Sequence, residues 1–426
     1  MSPPDACDVS PPGRGASAAP VAPAGATPAA ATYWWIVWKQ FRKRTTAVAA
    51  FVAVLLLFVL AWFAPLAASD RPLVMKDAGG VSFPALRSLF GERYAIDRFF
   101  NGGLLVLPLA VAGALVWRSR KPKALRPDWL DTVALALPPF VLAWVVAGGL
   151  MMAATRFVND PRDYPAEARR AEEAGAPGWY VFPPVRFGPH YQDRAAEGPG
   201  RPTADHWLGT DSTSRDVLAF MIHGTRIAFS VGFVAVGIAT VIGVFVGGLM
   251  GYFGGWVDIA LSRLVEIMIC FPTLFLIIIL IVAFGQSIFL IMLAIGITGW
   301  TGVARLTRGE FLKLRRLDFV TGAQALGAGR ARIMFHHMLP NSLGPVLVSV
   351  TFGVAGAILS EAGLSFLGLG DVSLPSWGKV LHEGEQYYSR AWWLVFFPGL
   401  AVFVTVVLFN LVGEGLRDAM DPRLRE

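Results

Sequence analysis

The chain has 426 residues, 55% of them hydrophobic and only 16% charged, with a mean hydropathy of +0.54. That balance excludes an ordinary soluble core and fits a bundle of membrane-spanning helices. The net charge of +7 sits in short Lys/Arg clusters beside apolar runs, the pattern of membrane orientation rather than of nucleic-acid binding. Two cysteines, Cys7 and Cys270, supply neither a disulfide framework nor metal-ligand spacing.

Residues 1–38 are expected to form a disordered, Ala/Pro-rich cytoplasmic tail that lacks the apolar centre of a signal peptide. Residues 39–68 carry the first transmembrane helix. Ala47–Ala68 is an apolar run of 22 residues, enough at about 1.5 Å per residue to cross a roughly 30 Å hydrocarbon layer. Lys39, Arg42, Lys43 and Arg44 before it hold the N-terminus inside. Residues 69–154 are expected to form an outer loop and an extra transmembrane hairpin, Phe99–Trp117 and Val133–Ala154. Arg118, Arg120, Lys121, Lys123 and Arg126 lie at its inner turn. Residues 155–224 form a long extracytoplasmic loop of nearly balanced charge, and loops of that length translocate largely regardless of charge.

Residues 225–418 make the main transmembrane unit. Ile227–Gly255 returns the chain to the inside. Ile267–Ala304 carries no formal charge and is too long for one span, so Gly285, Gln286 and Ser287 divide it into two helices meeting at an outer turn. Leu343–Leu359 then goes out, Glu361–Arg390 forms an outer or re-entrant segment, Ala391–Val412 comes back, and 419–426 is a cytoplasmic tail. The expected architecture is an all-α, polytopic bundle of eight spans with both termini cytoplasmic, in a prokaryotic plasma (inner) membrane.

Arg305, Arg308, Lys313, Arg315, Arg316, Arg330 and Arg332 crowd one connection, the strongest inside signal in the chain. Within it, Asp318–Asn341 has the pattern of a helix–turn–helix. Val320, Ala323 and Leu326 share a helical spacing that stops at Gly327. Ala331, Met334, Phe335 and Met338 follow at i, i+3, i+4 and i+7, with Arg332 and His336 on another face and Pro340 marking the end. An amphipathic helix of that kind needs a partner surface.

Catalytic signals are missing from the sequence. There is no phosphate loop, since Gly378-Lys379 is followed by Val380, and no Gly-x-Ser-x-Gly elbow. His336 and His337 are adjacent and point to different faces of a helix, which suits surface histidines better than a metal pair. Asp211 and Asp216 suit capping better than a hydrolytic carboxylate pair, with Asp211, Ser212 and Thr213 placed as a helix start. Two carboxylates are candidates for a translocation path. Glu266 lies three residues after Arg263, so a helix-end ion pair competes with a path role, and Glu361 precedes a glycine-rich apolar stretch.

Ala325–Ala328 with Arg332–Asn341 resembles the EAA loop of binding-protein-dependent ABC importer permeases, in particular the dipeptide, oligopeptide and nickel group. His206–Asp211 with Ser214–Leu218, Gly251–Asp258, Leu359–Gly370 with Pro375–Gly378, and Gly415–Ala419 with Asp421–Arg423 agree with the same family, in order, over about half the chain. The resemblance implies a MetI-like type I importer transmembrane domain. It implies a non-enzymatic permease subunit that carries peptides, with no cofactor of its own; ATP is used by partner chains. The implied partners are a second homologous permease, two ATP-binding cassette ATPase subunits, an extracytoplasmic solute-binding protein and the lipid bilayer. In such a loop Gly327 permits the turn, Val320, Ala323, Met334, Phe335 and Met338 supply the ATPase-docking surface, and Leu339 and Pro340 end it. Thr321-Gly322 replaces the first two residues of the family's Glu-Ala-Ala, and the extra hairpin departs from the family pattern. Nickel chelates or another small solute are alternative cargoes. A secondary transporter driven by an ion gradient is the rival class, for which intramembrane charges and internal repeats are the expected marks.

Overall fold

In hydrocarbon every backbone N–H and C=O needs an internal partner, so the apolar runs of this sequence fold as helices. The structure, a computed structural model, describes residues 33–77, 80–121, 129–154, 160, 162–174, 179–196 and 198–421. The leader through residue 32, Lys123 and Arg126 of the basic cluster, 155–159 of the long loop and the tail from 422 lie outside the described residues.

The chain begins with α1 (Tyr33–Phe41) and α2 (Thr45–Ala67). Residues 33–38, assigned to the disordered tail by composition, are instead helical, because Val37 and Phe41 bury themselves against Ala47 and Ala419. There follow β1 (Val74–Asp77), β2 (Gly80–Ser82), α3 (Pro84–Ser88), the hairpin α4 (Ala95–Arg120) and α5 (Trp129–Ala154), then α6 (Tyr164–Glu173) and β3 (Trp179–Val181). The strands pair antiparallel in the order β2-β1-β3, with Met75 opposite both Ser82 and Tyr180. The two outer loops therefore join into one small cap. Strands of three or four residues are too short to show alternation in the sequence.

The main unit comprises α7 (Val217–Phe253), α8 (Gly255–Cys270), α9 (Thr273–Phe284), α10 (Ile288–Leu314), α11 (Asp318–Ala325), α12 (Arg330–Arg332), a π-helical turn Ile333–Met338, α13 (Leu339–Phe366), α14 (Trp377–Tyr387) and α15 (Trp393–Met420). Seven helices among the described residues are long and apolar enough to cross a membrane, and α8 with α9, bent by 77°, makes eight if counted as one span. The bend sits at Phe271-Pro272 rather than at a span start near Ile267. Pro272 has no N–H to continue the ladder, and Phe271 before it is extended at φ −78°, ψ 121°. Gly285 makes the turn between α9 and α10 with φ +88°. Pro340, expected to end the coupling helix, does not. Arg330–Phe366 runs on as one span helix, and the wider π turn lies just before the proline, where a regular helix would press its ring against the carbonyl of residue i−4.

The central contact is α7 against α10, running parallel. Gly243, Gly247 and Gly251 stand at i, i+4, i+8 on α7, and a Cβ on any of them would collide with α10. At Gly243 it would lie 2.6 Å from Val303 Cβ, at Gly247 it would strike the Ala304 carbonyl, and at Gly251 it would strike Phe311 Cβ. Small residues at this spacing let two backbones approach closely enough for dispersion to hold them without a hydrophobic driving force. The start of α2 meets α1 and the end of α15 in a separate cluster. Trp38 Nε1 donates to Asp131 Oδ1 at 2.7 Å, Arg42 joins it at 3.1 Å, and Arg44 pairs with Asp418.

Gly247→Ala is expected to lower the thermal midpoint of the purified protein by a few degrees, from about 1–3 kcal/mol of overpacking. Gly299→Ala on α10 would meet only Ala239 Cβ at 3.6 Å and is expected to leave the midpoint unchanged or raise it. Differential scanning fluorimetry in detergent separates the two.

Candidate functional site

The coupling segment is built by burying its stripe. Tyr252, Phe311, Leu314, Val320, Ile333, Met334 and Met338 form one cluster, with Ala323, Ala328 and Leu339 packed on its edge. Val320 and Met338 are fully buried. The surface that Val320, Met334 and Met338 were expected to offer a partner is therefore turned onto the chain's own α7 and α10. The sequence showed a stripe needing a partner, and that partner is largely intramolecular. What remains outward is the other face: Leu326, 90% exposed, with Leu317, Phe319 and Phe335, and with Arg330, Arg332 and His336 around them. Pro340 is exposed, and Ala323 and Leu339 are half-buried. Gly327 takes φ +78°; its N–H reaches the Gln324 carbonyl and that of Ala328 reaches Ala323, both at 3.0 Å. This paired bonding closes α11 in a way that wants a left-handed residue at that position. His336 and His337 cross at 85°, and among the described residues no group of three or more His, Cys, Asp or Glu is placed to hold a metal.

At the other end of α13, Glu361 is buried and accepts from Ser365 Oγ at 2.7 Å and Ser376 Oγ at 2.6 Å. Ser376 in turn caps α14, accepting from Gly378 N at 3.1 Å, and Trp377 Nε1 donates to the Met221 carbonyl at 2.9 Å. The carboxylate is a clamp between α13, α14 and α7, enclosed within the chain rather than open to a path. Glu266 is exposed and pairs with Arg263 at 2.5 Å, the helix-end ion pair of the sequence reading.

Beside this clamp the loop entering α7 forms a latch. Asp211 accepts the N–H groups of Thr213 and Arg215 at 2.8 and 2.9 Å and Arg215 Nε at 2.6 Å, and Arg215 Nη2 reaches Glu383 on α14 at 2.7 Å. Burial and the charge of Asp211 push the Glu383 carboxyl above its usual range. The helix start lies further on than Asp211 suggested. Asp216 caps α7, accepting from Ala219 N at 2.7 Å and meeting His206 Nδ1 at 2.8 Å. Burial disfavours the His206 cation, yet Asp216 and Asp193 outweigh it and hold the imidazole above its ordinary pKa.

The chain's matches to known proteins follow this geometry. A family model described as the binding-protein-dependent transport system inner membrane component matches residues 243–426, and one for the N-terminal TM domain of oligopeptide transport permease C matches 32–77. The dipeptide transport system permease protein DppC of Alkalihalophilus pseudofirmus is 41% identical over 225 residues, 53% of this chain and 74% of the relative. The oligopeptide transport system permease protein OppC of Bacillus subtilis is 40% identical over 226 residues, 53% of this chain and 74% of its own length. This chain belongs to the binding-protein-dependent transport system inner membrane components. A solved structure of the MetNI methionine ABC transporter in inward-facing conformations aligns with 47% of this permease at 16% identity and a TM-score of 0.40.

The permease has one charged node that the sequence reading passed over by starting a span at Ile227. Arg226, one residue earlier and only 1% exposed, lies within α7. Pro65 in α2 leaves the Ala61 carbonyl without its helical donor, and Arg226 Nε supplies one at 2.6 Å. Its remaining N–H groups reach the Trp62 carbonyl at 3.0 Å, Asp97 Oδ1 at 2.9 Å and Asn101 Oδ1 at 3.0 Å. The available signal was a lone arginine at the head of an apolar helix together with a proline near the end of another. The node fastens the extra hairpin to the permease's main unit, and the hairpin and Arg226 lie in the stretch between the two family matches.

Two outcomes follow for the permease. Glu361→Gln keeps an acceptor for both hydroxyls and is expected to retain uptake, whereas Glu361→Ala strands them and costs about 1–3 kcal/mol; vesicle uptake and thermal unfolding check the pair. The raised His206 pKa contributes stability that is full below the ordinary value of 6.5 and lost as pH rises through the raised value. The thermal midpoint should therefore fall as pH rises above 6.5, and His206→Gln should flatten part of that slope.

Proposed function

We propose that the permease is the membrane subunit of an ATP-driven peptide importer. It would pair with a second permease and two ATPase subunits and receive cargo from an extracytoplasmic binding protein. The observation that carries this reading is the agreement of dipeptide and oligopeptide permeases with this chain over three quarters of their length. In this reading both termini and the coupling segment face the cytoplasm of a prokaryotic cell, which the basic clusters at that end of the bundle support.

The geometry supports a division of labour within the coupling segment. Its buried face, through Val320, Met334 and Met338, holds it to α7 and α10. Its exposed face, through Leu326, Phe319 and Phe335, is assigned to the ATPase groove. The segment is continuous with the helix Arg330–Phe366. Closure of the ATPase pair would therefore move the ends of α7, α10 and α13 as one body, and access would switch by rigid rocking.

No atom stands within 4 Å of a Cβ built on Gly327. Gly327→Val therefore acts through backbone strain alone, of order 1–3 kcal/mol. ATP-dependent uptake in vesicles is expected to fall about tenfold with the complex still assembled, and wild-type uptake in an intact complex overturns the assignment. Leu326→Asp should release the ATPase during purification without changing the fold of the permease. Met338→Asp, by contrast, should lower the thermal midpoint itself.

A further inference from the structure

A cavity of about 540 Å³ lies where the end of α2 and the heads of α4 and α7 meet the cap, at the far end of the bundle from the coupling segment. That volume suits a small solute or a headgroup. Most of its wall, including Glu92, Arg93, Asp97, His190 and His223, lies outside residues 32–77 and 243–426 that the family models match.

The wall's charges are unevenly satisfied. Asp97 is paired with Arg226 at 2.9 Å, and Asp163 accepts from Tyr191 Oη at 3.0 Å and Ala166 N at 3.2 Å. Asp70 and Glu92 have no ion pair within 4 Å among the described residues. The guanidinium of Arg71, whose charge reaches both carboxylates, also has no such pair. Glu92 is half-buried yet so hemmed in that burial, and then the charge of Asp97, pushes its carboxyl up to about 7. Carboxylates short of a cation beside a guanidinium short of an anion leave two unmet demands of opposite sign. A simple anion would satisfy one and be repelled by the other, and so would a simple cation.

We propose that this cavity binds a small zwitterion, with its primary ammonium against Glu92 and Asp70 and its oxyanion against Arg71. A free amino-acid-like solute and the ethanolamine phosphate of a lipid headgroup share that chemistry. The site does not depend on the importer reading, since none of its residues belongs to the coupling segment.

The test uses the full chain in nanodiscs of phosphatidylcholine, which has no primary ammonium. Glycylglycine is titrated by calorimetry, and phosphatidylethanolamine is added in a parallel series read by native mass spectrometry. Saturable binding of either probe, weakened at least tenfold by Glu92→Gln and by Arg71→Gln but unchanged by Glu385→Gln at an exposed position of α14, is the expected result. Binding of glycylglycine identifies a soluble ligand, and retention of phosphatidylethanolamine alone identifies a headgroup. N-acetylglycylglycine, lacking the ammonium, should not bind. Glu92→Gln replaces a half-buried carboxylate by a neutral amide and is not expected to unfold the chain at pH 8, which its thermal midpoint checks. Gly327→Val should bind as wild type, so loss of transport and loss of this site are separable. Binding of neither probe, or binding indifferent to Glu92→Gln, overturns the proposal.

Discussion

Everything else in the bundle is placed by the close parallel contact of α7 and α10. Because three glycines on α7, and Gly296 on α10, remove atoms that would hold the helices apart, the two backbones run together to their common end. There Tyr252, Phe311 and Leu314 form a shared platform. The coupling segment settles on that platform, and the helix that follows it packs back along α7, with Gly232 facing Val354 and Ile358. A bulkier helix pair would spread the platform and leave Val320 and Met338 without a floor.

Prolines organise what the glycines bring together. Each removes one N–H from a ladder that has no water to fall back on, and at three of them the structure answers in three different ways. At Pro65 the orphaned carbonyl is given to Arg226, which turns a local defect into a junction of three helices. At Pro272 the ladder is abandoned and the span bends. At Pro340 a π turn precedes the ring and the span helix continues. Asn341 Nδ2 donates to the His337 carbonyl at 2.7 Å, covering one exposed acceptor there.

Much of the architecture was legible because apolar length and basic clusters are direct consequences of the bilayer. Ala47–Ala68, the turn at Gly285 and the left-handed requirement at Gly327 could be read residue by residue. The facing of the stripe through Met334 and Met338 could not, because periodicity reports that a helix has an apolar side and says nothing about which molecule covers it. The clamp at Glu361 was hidden for a related reason. Its partners Ser365 and Ser376 are 4 and 15 residues away, and a carboxylate in an apolar helix looks the same in sequence whether it faces a path or two hydroxyls. Arg226 was lost at a boundary drawn by hydropathy, one residue past the charge that mattered. The sheet was lost because its central strand pairs with residues a hundred positions away.

That long-range pairing shapes the whole outer region. The Val185 N–H donates to the Ala67 carbonyl at 3.0 Å, and the Ser69 N–H donates to the Val185 carbonyl at 3.2 Å. The chain thus leaves the end of α2, builds the cap and the extra hairpin, and returns to the residue it departed from. Topologically the segment is a closed petal on a stem one peptide wide. The stem, together with the bonds from Arg226 to the Ala61 and Trp62 carbonyls, ties the first helix to the main unit through contacts that do not pass through the petal.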